Sequence, residues 1–279
     1  MNATASSRVR LRALLILCLC YSASLAFAQN PPASYQPRPG QPGKDVVWIP
    51  SPSAMVDKML DMARVTQSDF VIDLGSGDGR NVIAAARRGA RALGVEYNPD
   101  LVELSRRAAA AAGVADKAGF VQGDMFAADI SQASVLVLFL IPSNLEKLTP
   151  KFLALKPGTR IVSNTYEIGG GWNPDDSDRL ALCTSWCIAY LYVVPAQVTG
   201  TWRQPQGELV LEQSYQSVWG TYYQDGISLP VENGLIRGNE ITFTLNQIEY
   251  AGRVNGDAMV GLAKGRTTNN WTATRAGKQ

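Results

Sequence analysis

Acidic residues and glycines alternate between Asp73 and Gly79, directly after a short apolar run. Glycines at alternate positions permit tight backbone angles and leave no Cβ between the chain and a ligand. Glu96 follows the next apolar run, near the offset of roughly 20 residues at which a carboxylate receives a ribose in dinucleotide-binding folds. Together these features predict a site for a cofactor that carries a nucleoside.

The glycine spacing separates two classes of cofactor. A dinucleotide fingerprint reads G-x-G-x-x-G and places a pyrophosphate at a helix N-terminus, whereas here the glycines are Gly75, Gly77 and Gly79. Asp73 and Asp78 lie among them, and two carboxylates would repel a pyrophosphate. The acidic residues therefore favour a ligand that carries positive charge.

The stretch from Asp73 to Gly79 resembles the class I S-adenosylmethionine-dependent methyltransferases, whose motif D-x-G-x-G-x-G it matches at every position. A third acidic residue, Asp124, follows Glu96 in the order found in that family. The cofactor of these enzymes has a cationic sulfonium and a cationic amino group, which agrees with the acidic surroundings. The alternative is a glycine-rich turn of some other α/β protein.

This resemblance implies a role for each matching residue. The glycines would pass close to the methionine part of the cofactor, which Asp73 would anchor through the amino group or a water. Glu96 would accept hydrogen bonds from both ribose hydroxyls, and Asp124 from the adenine amine. The expected cofactor-binding residues are Asp73, Gly75, Ser76, Gly77, Gly79, Glu96, Tyr97, Asp124 and Met125. The alternatives are structural: a helix-capping Asp73, a solvated Glu96 and a core Met125.

Three further stretches narrow the resemblance. Together with the glycine turn they are similar to the protein-lysine methyltransferase family that includes the mitochondrial adenine-nucleotide-translocase and ATP-synthase c-subunit enzymes. The stretches are residues 47–52, 139–142 and 155–163, and the likeness extends over residues 46 to 200. It implies transfer of a methyl group from S-adenosylmethionine to an amine, namely a protein lysine. A small-molecule amine is the alternative acceptor.

Methyl transfer from a sulfonium depends mainly on in-line positioning and on exclusion of water. An amine must still be deprotonated and aimed, and the chain contains no histidine for this purpose. Doubly wound sheets bind ligands at the carboxyl ends of their strands. We therefore predict Asn164, Tyr166 and Glu167 as catalytic residues, with a plain turn before the glycines that follow as the alternative. Because histidine is absent, no histidine-based triad or histidine metal site is possible, and we expect no metal.

Strands and helices alternate from Phe70 onward, which predicts a doubly wound, Rossmann-like α/β sheet within residues 46–199. The unbroken apolar run from Val135 to Ile141 is typical of a strand buried on both faces. Apolar residues at helical spacing before the first strand predict a helix with Ser53 as its N-cap. A β-rich stretch from Leu180 to Pro195 fits the antiparallel hairpin that closes methyltransferase sheets.

From Gly200 the pattern changes to short strands separated by glycine turns, such as Asp225-Gly226 and Asn233-Gly234. Residues 200–279 are therefore predicted to form a small antiparallel β barrel or sandwich. Such a domain would dock a substrate, mediate oligomerisation or cover the enzyme domain. The sequence does not define the oligomeric state.

Residues 1–28 have the three regions of a secretory signal peptide: arginines, a short apolar run and small residues before a cleavage point after Ala28. We expect an exported, periplasmic protein with no membrane span after cleavage. An uncleaved inner-membrane anchor is the alternative. Residues 29–45 are rich in Pro, Gln and Gly and are predicted to be a disordered or extended linker.

Cleavage would remove three arginines and no acidic residue, so that the formal charge of +2 would become −1. A chain with this net charge lacks the excess of basic residues that binds a phosphate backbone, so we expect no nucleic acid as a partner. Export would favour a disulfide between Cys183 and Cys187, which a tight turn would bring within reach; two free thiols are the alternative. Export also permits a second function, a binding module with a methyltransferase fold and no activity.

Overall fold

The computed structural model describes residues 35–277. The expected signal peptide and the first part of the linker lie outside these residues. Within them, the helices are α1 (Ser53–Met62), α2 (Arg80–Arg87), α3 (Pro99–Ala111) and α4 (Pro142–Leu153). None of the described helices is long and apolar enough to cross a membrane.

Seven strands form one sheet in the order β3-β2-β1-β4-β5-β7-β6. The strands are β1 (Phe70–Leu74), β2 (Arg91–Glu96), β3 (Ala118–Gln122), β4 (Val135–Leu138), β5 (Arg160–Asn164), β6 (Asp176–Arg179) and β7 (Ile188–Val193). The first five run parallel, whereas β7 is antiparallel to β5 and to β6. All four residues of β6, at the edge of the sheet, are exposed. The predicted doubly wound sheet is confirmed.

Strand β1 lies at the centre of the sheet, and its last four residues are buried. Strand β4 beside it ends at Leu138, so the predicted strand from Val135 to Ile141 is too long. Its pairing with β5 stops at Leu138. Phe139, Leu140 and Ile141 continue past the sheet and lead into Pro142, the first residue of α4, where the fixed φ of proline suits a helix start.

Helix α1 buries an apolar face formed by Met55, Val56, Met59 and Leu60, as its spacing predicts. Ser53 is the first helical residue rather than the N-cap, so this prediction is wrong. Pro52 is the N-cap and makes no side-chain capping bond. The proline ring fixes φ at −56°, and with ψ at 141° the chain enters the helix without a capping hydroxyl.

The C-terminal strands form a closed antiparallel barrel in the order β10-β11-β12-β13-β14-β15-β8-β9. Its strands are β8 (Gly200–Gln204), β9 (Gly207–Ser214), β10 (Ser217–Gln224), β11 (Ile227–Arg237), β12 (Glu240–Leu245), β13 (Ile248–Asn255), β14 (Ala258–Lys264) and β15 (Thr268–Arg275). Large buried side chains such as Trp202 and Phe243 form its core. Of the two predicted architectures, the structure has the barrel.

Asn233-Gly234 does not form a predicted hairpin turn but lies inside β11. Asn233 has a φ of +52°, and the register of the β11–β12 pairing shifts between Glu232 and Leu235. A Cβ on Gly234 would lie 2.1 Å from the Val218 carbonyl oxygen. The dipeptide therefore makes a bulge that bends the strand, a common use of glycine and asparagine in closed barrels.

The barrel packs against the sheet domain through aromatic and polar contacts. Tyr215 stacks on Trp172, with ring centroids 5.7 Å apart, and its hydroxyl donates to the Gly170 carbonyl at 2.9 Å. Trp172 is only 1% exposed. Arg237 of β11 pairs with the buried carboxylate of Asp175 at 3.3 Å. These contacts tie the barrel to the segment that joins β5 and β6.

Candidate active site

A cavity of about 260 Å³ opens at the carboxyl ends of the central strands. On the β2 and β3 side it is lined by Glu96, Tyr97, Asp124 and Met125, which we call the nucleoside side. On the side of β4, β5 and β7 it is lined by residues that include Phe139, Tyr166 and Trp186, which we call the acceptor side. This volume is slightly below the usual range for small-molecule sites, which begins at about 300 Å³.

The turn after β1 is fixed by glycine. Gly75 and Gly77 have φ of +75° and +55°, which other residues rarely adopt. The N–H groups of Gly75 and Ser76 both donate to the Val95 carbonyl, at 2.8 and 3.1 Å. The Gly77 N–H donates to Glu96 Oε2 at 2.9 Å. The turn is therefore held against the end of β2.

The residues of the glycine turn face different ways. Gly75 and Gly77 border the cavity or the smaller pocket beside it. A Cβ on Gly79 would lie 2.6 Å from the Phe120 ring, so Gly79 permits close packing with α3 and β3. The Ser76 hydroxyl is buried towards β2, since a Cβ on Gly94 would lie 2.5 Å from its oxygen.

Glu96 has both carboxylate oxygens in use and still has room to accept more. Oε1 accepts the Asn98 N–H and Oε2 the Gly77 N–H, both at 2.9 Å. An ionised carboxylate has about four acceptor positions. Two backbone donors therefore orient the group while two positions stay available to a pair of neighbouring hydroxyls such as those of a ribose.

Asp73 is a buried carboxylate beside the cavity. It is 2% exposed, borders a smaller pocket of about 30 Å³, and accepts a hydrogen bond from Asn81 Nδ2 at 3.0 Å. Burial, together with the charges of Glu96 and Asp78 and against the opposing Asn81 hydrogen bond, raises its pKa to about 7. The Asn81 Oδ1 atom is buried without a partner among the described residues. This set of acceptors suits a cationic ligand.

The chain before α1 crosses the cavity. Residues 41–48 form a loop, which we call the cover loop, closed where the Trp48 N–H donates to the Gln41 carbonyl at 2.9 Å. Its Lys44 Nζ lies 2.6 Å from Asp124 Oδ2 and 5.0 Å from the centroid of the Tyr97 ring. The hydrogen bond from Lys44 lowers the pKa of Asp124. Part of the predicted linker thus covers the nucleoside side.

The three predicted catalytic residues occupy different positions. Tyr166 lines the cavity. Asn164 is fully buried beneath it and donates from Nδ2 to Ser51 Oγ at 3.1 Å. Glu167 is exposed and interacts with Tyr190, whose pKa is raised by burial and then by this carboxylate. The structure brings only Tyr166 of the three to the cavity wall, and their catalytic roles remain predictions.

Sequence reasoning missed Trp48, Phe139 and Trp186 as residues of the site. Trp186 precedes Cys187, which forms a disulfide with Cys183 across a Cα–Cα distance of 5.6 Å. Of the two alternatives left open for the cysteines, the structure has the disulfide. A tryptophan inside a short cysteine loop next to the sheet was the available signal for this part of the site.

Residues 73–176 match the family model described as the ANTKMT methyltransferase domain. A protein-lysine N-methyltransferase of Saccharolobus islandicus is 40% identical over 152 residues, which are 53% of this chain and 94% of that protein. The chain belongs to this methyltransferase family. The ATP-synthase c-subunit lysine N-methyltransferase of Mus musculus is 34% identical to this chain over 174 residues, which are 62% of this chain and 68% of the mouse protein.

A solved structure is also similar to the methyltransferase. It is an RNA methyltransferase from Salinibacter ruber in complex with S-adenosylhomocysteine, 45% identical, with a TM-score of 0.51 over 54% of this chain and 96% of that chain. The protein is thus an S-adenosylmethionine-dependent methyltransferase. Its residues fit this cofactor, because the oriented Glu96 and the buried acceptors of Asp73 and Asn81 match a ribose and a cationic methionine group.

Proposed function

We propose that this methyltransferase methylates the side-chain amine of lysine in a protein. The observation that carries the proposal is the contrast across one cavity: oriented carboxylates on the nucleoside side and uncharged aromatic rings on the acceptor side. A lysine side chain is a long apolar stem with one polar tip, which suits a cavity side lined by uncharged rings. The lysine methyltransferases of Saccharolobus islandicus and Mus musculus support the same acceptor.

In the proposed mechanism, bound S-adenosylmethionine supplies a methyl group already activated by its sulfonium. Glu96 would hold the ribose, Asp73 would face the cationic methionine part, and Asp124 and Met125 would contact the adenine. The cover loop excludes water from the cavity, which favours transfer to the amine over hydrolysis. The protein's contribution is therefore mainly to position two reactants.

The predicted catalytic residues have distinct parts in this proposal. Tyr166 contacts the amine and aims its lone pair, because its ring lines the cavity. Asn164 acts as a positioning residue, since its main-chain carbonyl accepts the Tyr166 N–H at 2.8 Å and its side-chain amide is tied to Ser51. Glu167 is exposed and takes up the proton that the amine releases, through solvent.

The test is transfer of a labelled methyl group. The chain from Gln29 is incubated with S-adenosylmethionine labelled in its methyl group and with an envelope protein fraction, and the products are hydrolysed to amino acids. Methyllysine supports the proposal. Label in a small amine, or no transfer by a chain that binds the cofactor, contradicts it. Glu96→Gln is the matched inactive control, and Glu103→Gln, on the exposed face of α3, is the active one.

RNA is a second candidate acceptor because the similar Salinibacter ruber structure is described as an RNA methyltransferase. Among the described residues that line the cavity, Lys44 is the one basic side chain, and it pairs with Asp124. Recognition of a phosphate backbone requires a basic surface. We therefore favour protein. Digestion of the labelled products with ribonuclease or with protease separates the two acceptors.

We also propose that the methyltransferase acts after export, in the periplasm. The signal-peptide pattern of residues 1–28 supports export, as does the Cys183–Cys187 disulfide, since disulfides persist in oxidising compartments. Mass spectrometry of the protein from cell fractions tests this. A periplasmic chain that begins at Gln29 is expected. A chain that retains residues 1–28 in the membrane fraction would indicate an uncleaved anchor instead.

A further inference from the structure

Three aromatic rings form a cluster on the acceptor side of the cavity. The ring centroids of Phe139 and Trp186 are 5.4 Å apart, and each lies 6.4 Å from that of Tyr166. All three residues line the cavity, and each is only partly buried. We call these residues the aromatic cage. Their arrangement leaves ring surface available to a ligand in the cavity.

Strained backbone positions two of the three rings. Thr165, directly before Tyr166, has a φ of +69°, and the Tyr166 N–H donates to the Asn164 carbonyl at 2.8 Å, which makes a γ-turn. Trp186 itself has a φ of +60°. A β-branched or bulky residue rarely adopts such angles, and γ-turns with positive φ are uncommon. Strain of this kind is concentrated at ligand sites, where the surrounding structure maintains it.

The disulfide keeps Trp186 in place. Cys183 and Cys187 close a loop of five residues between β6 and β7. Cys187 is only 6% exposed and is followed directly by β7, so it anchors the loop to the sheet. Trp186 is its neighbour in sequence. A cross-link across so short a segment leaves the tryptophan few alternatives to a position over the cavity.

The charged residues that line the cavity lie on the nucleoside side, away from the aromatic cage. Among the described lining residues, the charged ones are Lys44, Asp45, Glu96 and Asp124. Lys44 pairs with Asp124 on the nucleoside side, and Asp45 lies beside it. No charged side chain lines the acceptor side within residues 35–277. Aromatic ring faces attract cations, and quaternary or methylated ammonium groups are bound by clusters of such rings.

We propose that the aromatic cage binds the alkylammonium group of the substrate lysine, with or without methyl groups, and that Trp186, held by the disulfide, determines this preference. The inference rests on the proposed transfer to lysine and adds the residues that recognise its nitrogen. Phe139 and Tyr166 form two walls, and the tryptophan of the cysteine loop forms the third.

The same rings act on the reaction itself. The bound alkylammonium first releases a proton to solvent. The lone pair of the resulting amine then forms the new N–C bond while the bond between that carbon and sulfur breaks, its electron pair going to sulfur. Positive charge therefore moves to nitrogen, which then releases a proton to solvent unless it has become quaternary. Because the rings stabilise a cationic nitrogen more than a neutral amine, they favour the transition state over the bound amine. They also accept a nitrogen that already carries methyl groups.

The experiment compares two probes that differ only in charge. Trimethyllysine amide and its neutral analogue, in which carbon replaces the quaternary nitrogen, are titrated into the chain from Gln29 saturated with S-adenosylhomocysteine. We expect roughly tenfold tighter binding of the cation. Equal binding of the two probes, or binding of neither, would overturn the inference.

Variants assign the preference to the tryptophan. Trp186→Leu is expected to abolish the difference between the probes, and Trp186→Phe to retain part of it, with unchanged affinity for S-adenosylhomocysteine in both. Trp219→Leu, on the exposed face of the barrel, is the matched control and should retain the full difference. A full preference in Trp186→Leu would overturn the role of Trp186.

The disulfide is tested separately. From Gln29 onward, Cys183 and Cys187 are the only cysteines in the sequence, so a reductant acts on this disulfide alone. Reduction, or the double variant Cys183→Ser with Cys187→Ser, should lower the preference for the cation at least threefold. If the preference for the cation is unchanged after reduction, the disulfide does not position Trp186. If wild-type protein binds S-adenosylhomocysteine and the cation but forms no methyllysine, the proposed function fails while the cation site stands.

Discussion

The two sides of the cavity are built in different ways. On the nucleoside side, Glu96 and the glycine turn belong to neighbouring parallel strands and are held by hydrogen bonds to the backbone. On the acceptor side, Phe139, Tyr166 and Trp186 come from three separate loops. Strained backbone positions Tyr166 and Trp186, and a disulfide closes the loop of Trp186. The first arrangement uses consecutive elements of the sheet, whereas the second brings together segments far apart in the sequence. The proposed cofactor side therefore depends on local geometry and the proposed acceptor side on long-range contacts.

The largest expected effect is on the nucleoside side. Glu96→Gln removes the charge that is proposed to receive the ribose hydroxyls, and one amide N–H would face a backbone donor. We expect the affinity for S-adenosylmethionine to fall by about 2 kcal/mol or more, which is roughly thirtyfold. Isothermal titration calorimetry measures this. Glu103→Gln on the exposed surface of α3 serves as the control. Affinity within threefold of wild type would mean that Glu96 is not the ribose ligand.

A change outside the cavity should lower the stability of the fold and not the affinity of either side for its ligand. Tyr215→Ala removes the ring that stacks on Trp172 and the hydrogen bond to Gly170, and we expect it to lower the free energy of unfolding by about 1–3 kcal/mol. Tyr223→Ala, at an exposed position of the barrel, should change it by less than about 0.5 kcal/mol. Chemical denaturation measures both. Equal losses would mean that the barrel contact does not stabilise the sheet domain.

The buried carboxylate of Asp73 predicts a pH dependence. Burial is the largest cause of a pKa raised to about 7, with the Asn81 hydrogen bond opposing it and the charges of Glu96 and Asp78 adding to it. A cationic ligand favours the ionised form, so the affinity for S-adenosylmethionine should rise by about tenfold between pH 6 and pH 8. Calorimetry at several pH values measures this, and Asp73→Asn should flatten the profile. A flat profile for the wild type would contradict it.

The same group affects stability in the absence of ligand. An unfolded aspartate has a pKa of about 3.9 and loses its proton at lower pH than folded Asp73. Between about pH 4 and pH 7 the folded state therefore binds more protons, and the contribution of Asp73 to stability decreases as the pH rises. Asp73→Asn should remove this part of the pH dependence, as denaturation across this range would show.

The smallest effect is expected from the cover loop. Lys44→Met removes the ion pair with Asp124 and the contact with Tyr97, both of which are exposed and screened by salt. We expect at most about a threefold change in cofactor affinity at physiological salt. A faster dissociation of the cofactor should be visible in stopped-flow measurements at low salt. A loss as large as that of Glu96→Gln would show that the loop, rather than the carboxylate, holds the cofactor.

The sequence predicts one side of the cavity better than the other for a physical reason. Asp73, Gly75 and Glu96 act within a strand-turn-helix unit and the next strand, so their spacing along the chain determines their spacing in space. Trp186 and the cover loop come to the cavity only when the whole domain has folded. Their positions depend on contacts between residues far apart in the sequence, such as Lys44 with Asp124.

Local patterns also have limits within the elements themselves. The apolar run after Val135 does not show that β4 ends at Leu138, because Phe139 and Ile141 are equally apolar whether they enter a strand or a cavity wall. Gly79 has the spacing of a cofactor residue, but the spacing does not show that a Cβ at this position would also meet Phe120. Asn233-Gly234 has the composition of a turn and makes a bulge instead, since barrel closure determines where the strands bend.

Strand β6 limits how a substrate can approach. Proteins that bind extended peptides often add them as a further strand to an open sheet edge. Here the barrel is closed, and the edge beside the cysteine loop consists of Asp176, Ser177, Asp178 and Arg179, a charged sequence of the kind that discourages strand addition. A target segment is therefore not expected to pair with β6, and the proposed lysine would enter the cavity without strand addition at this edge.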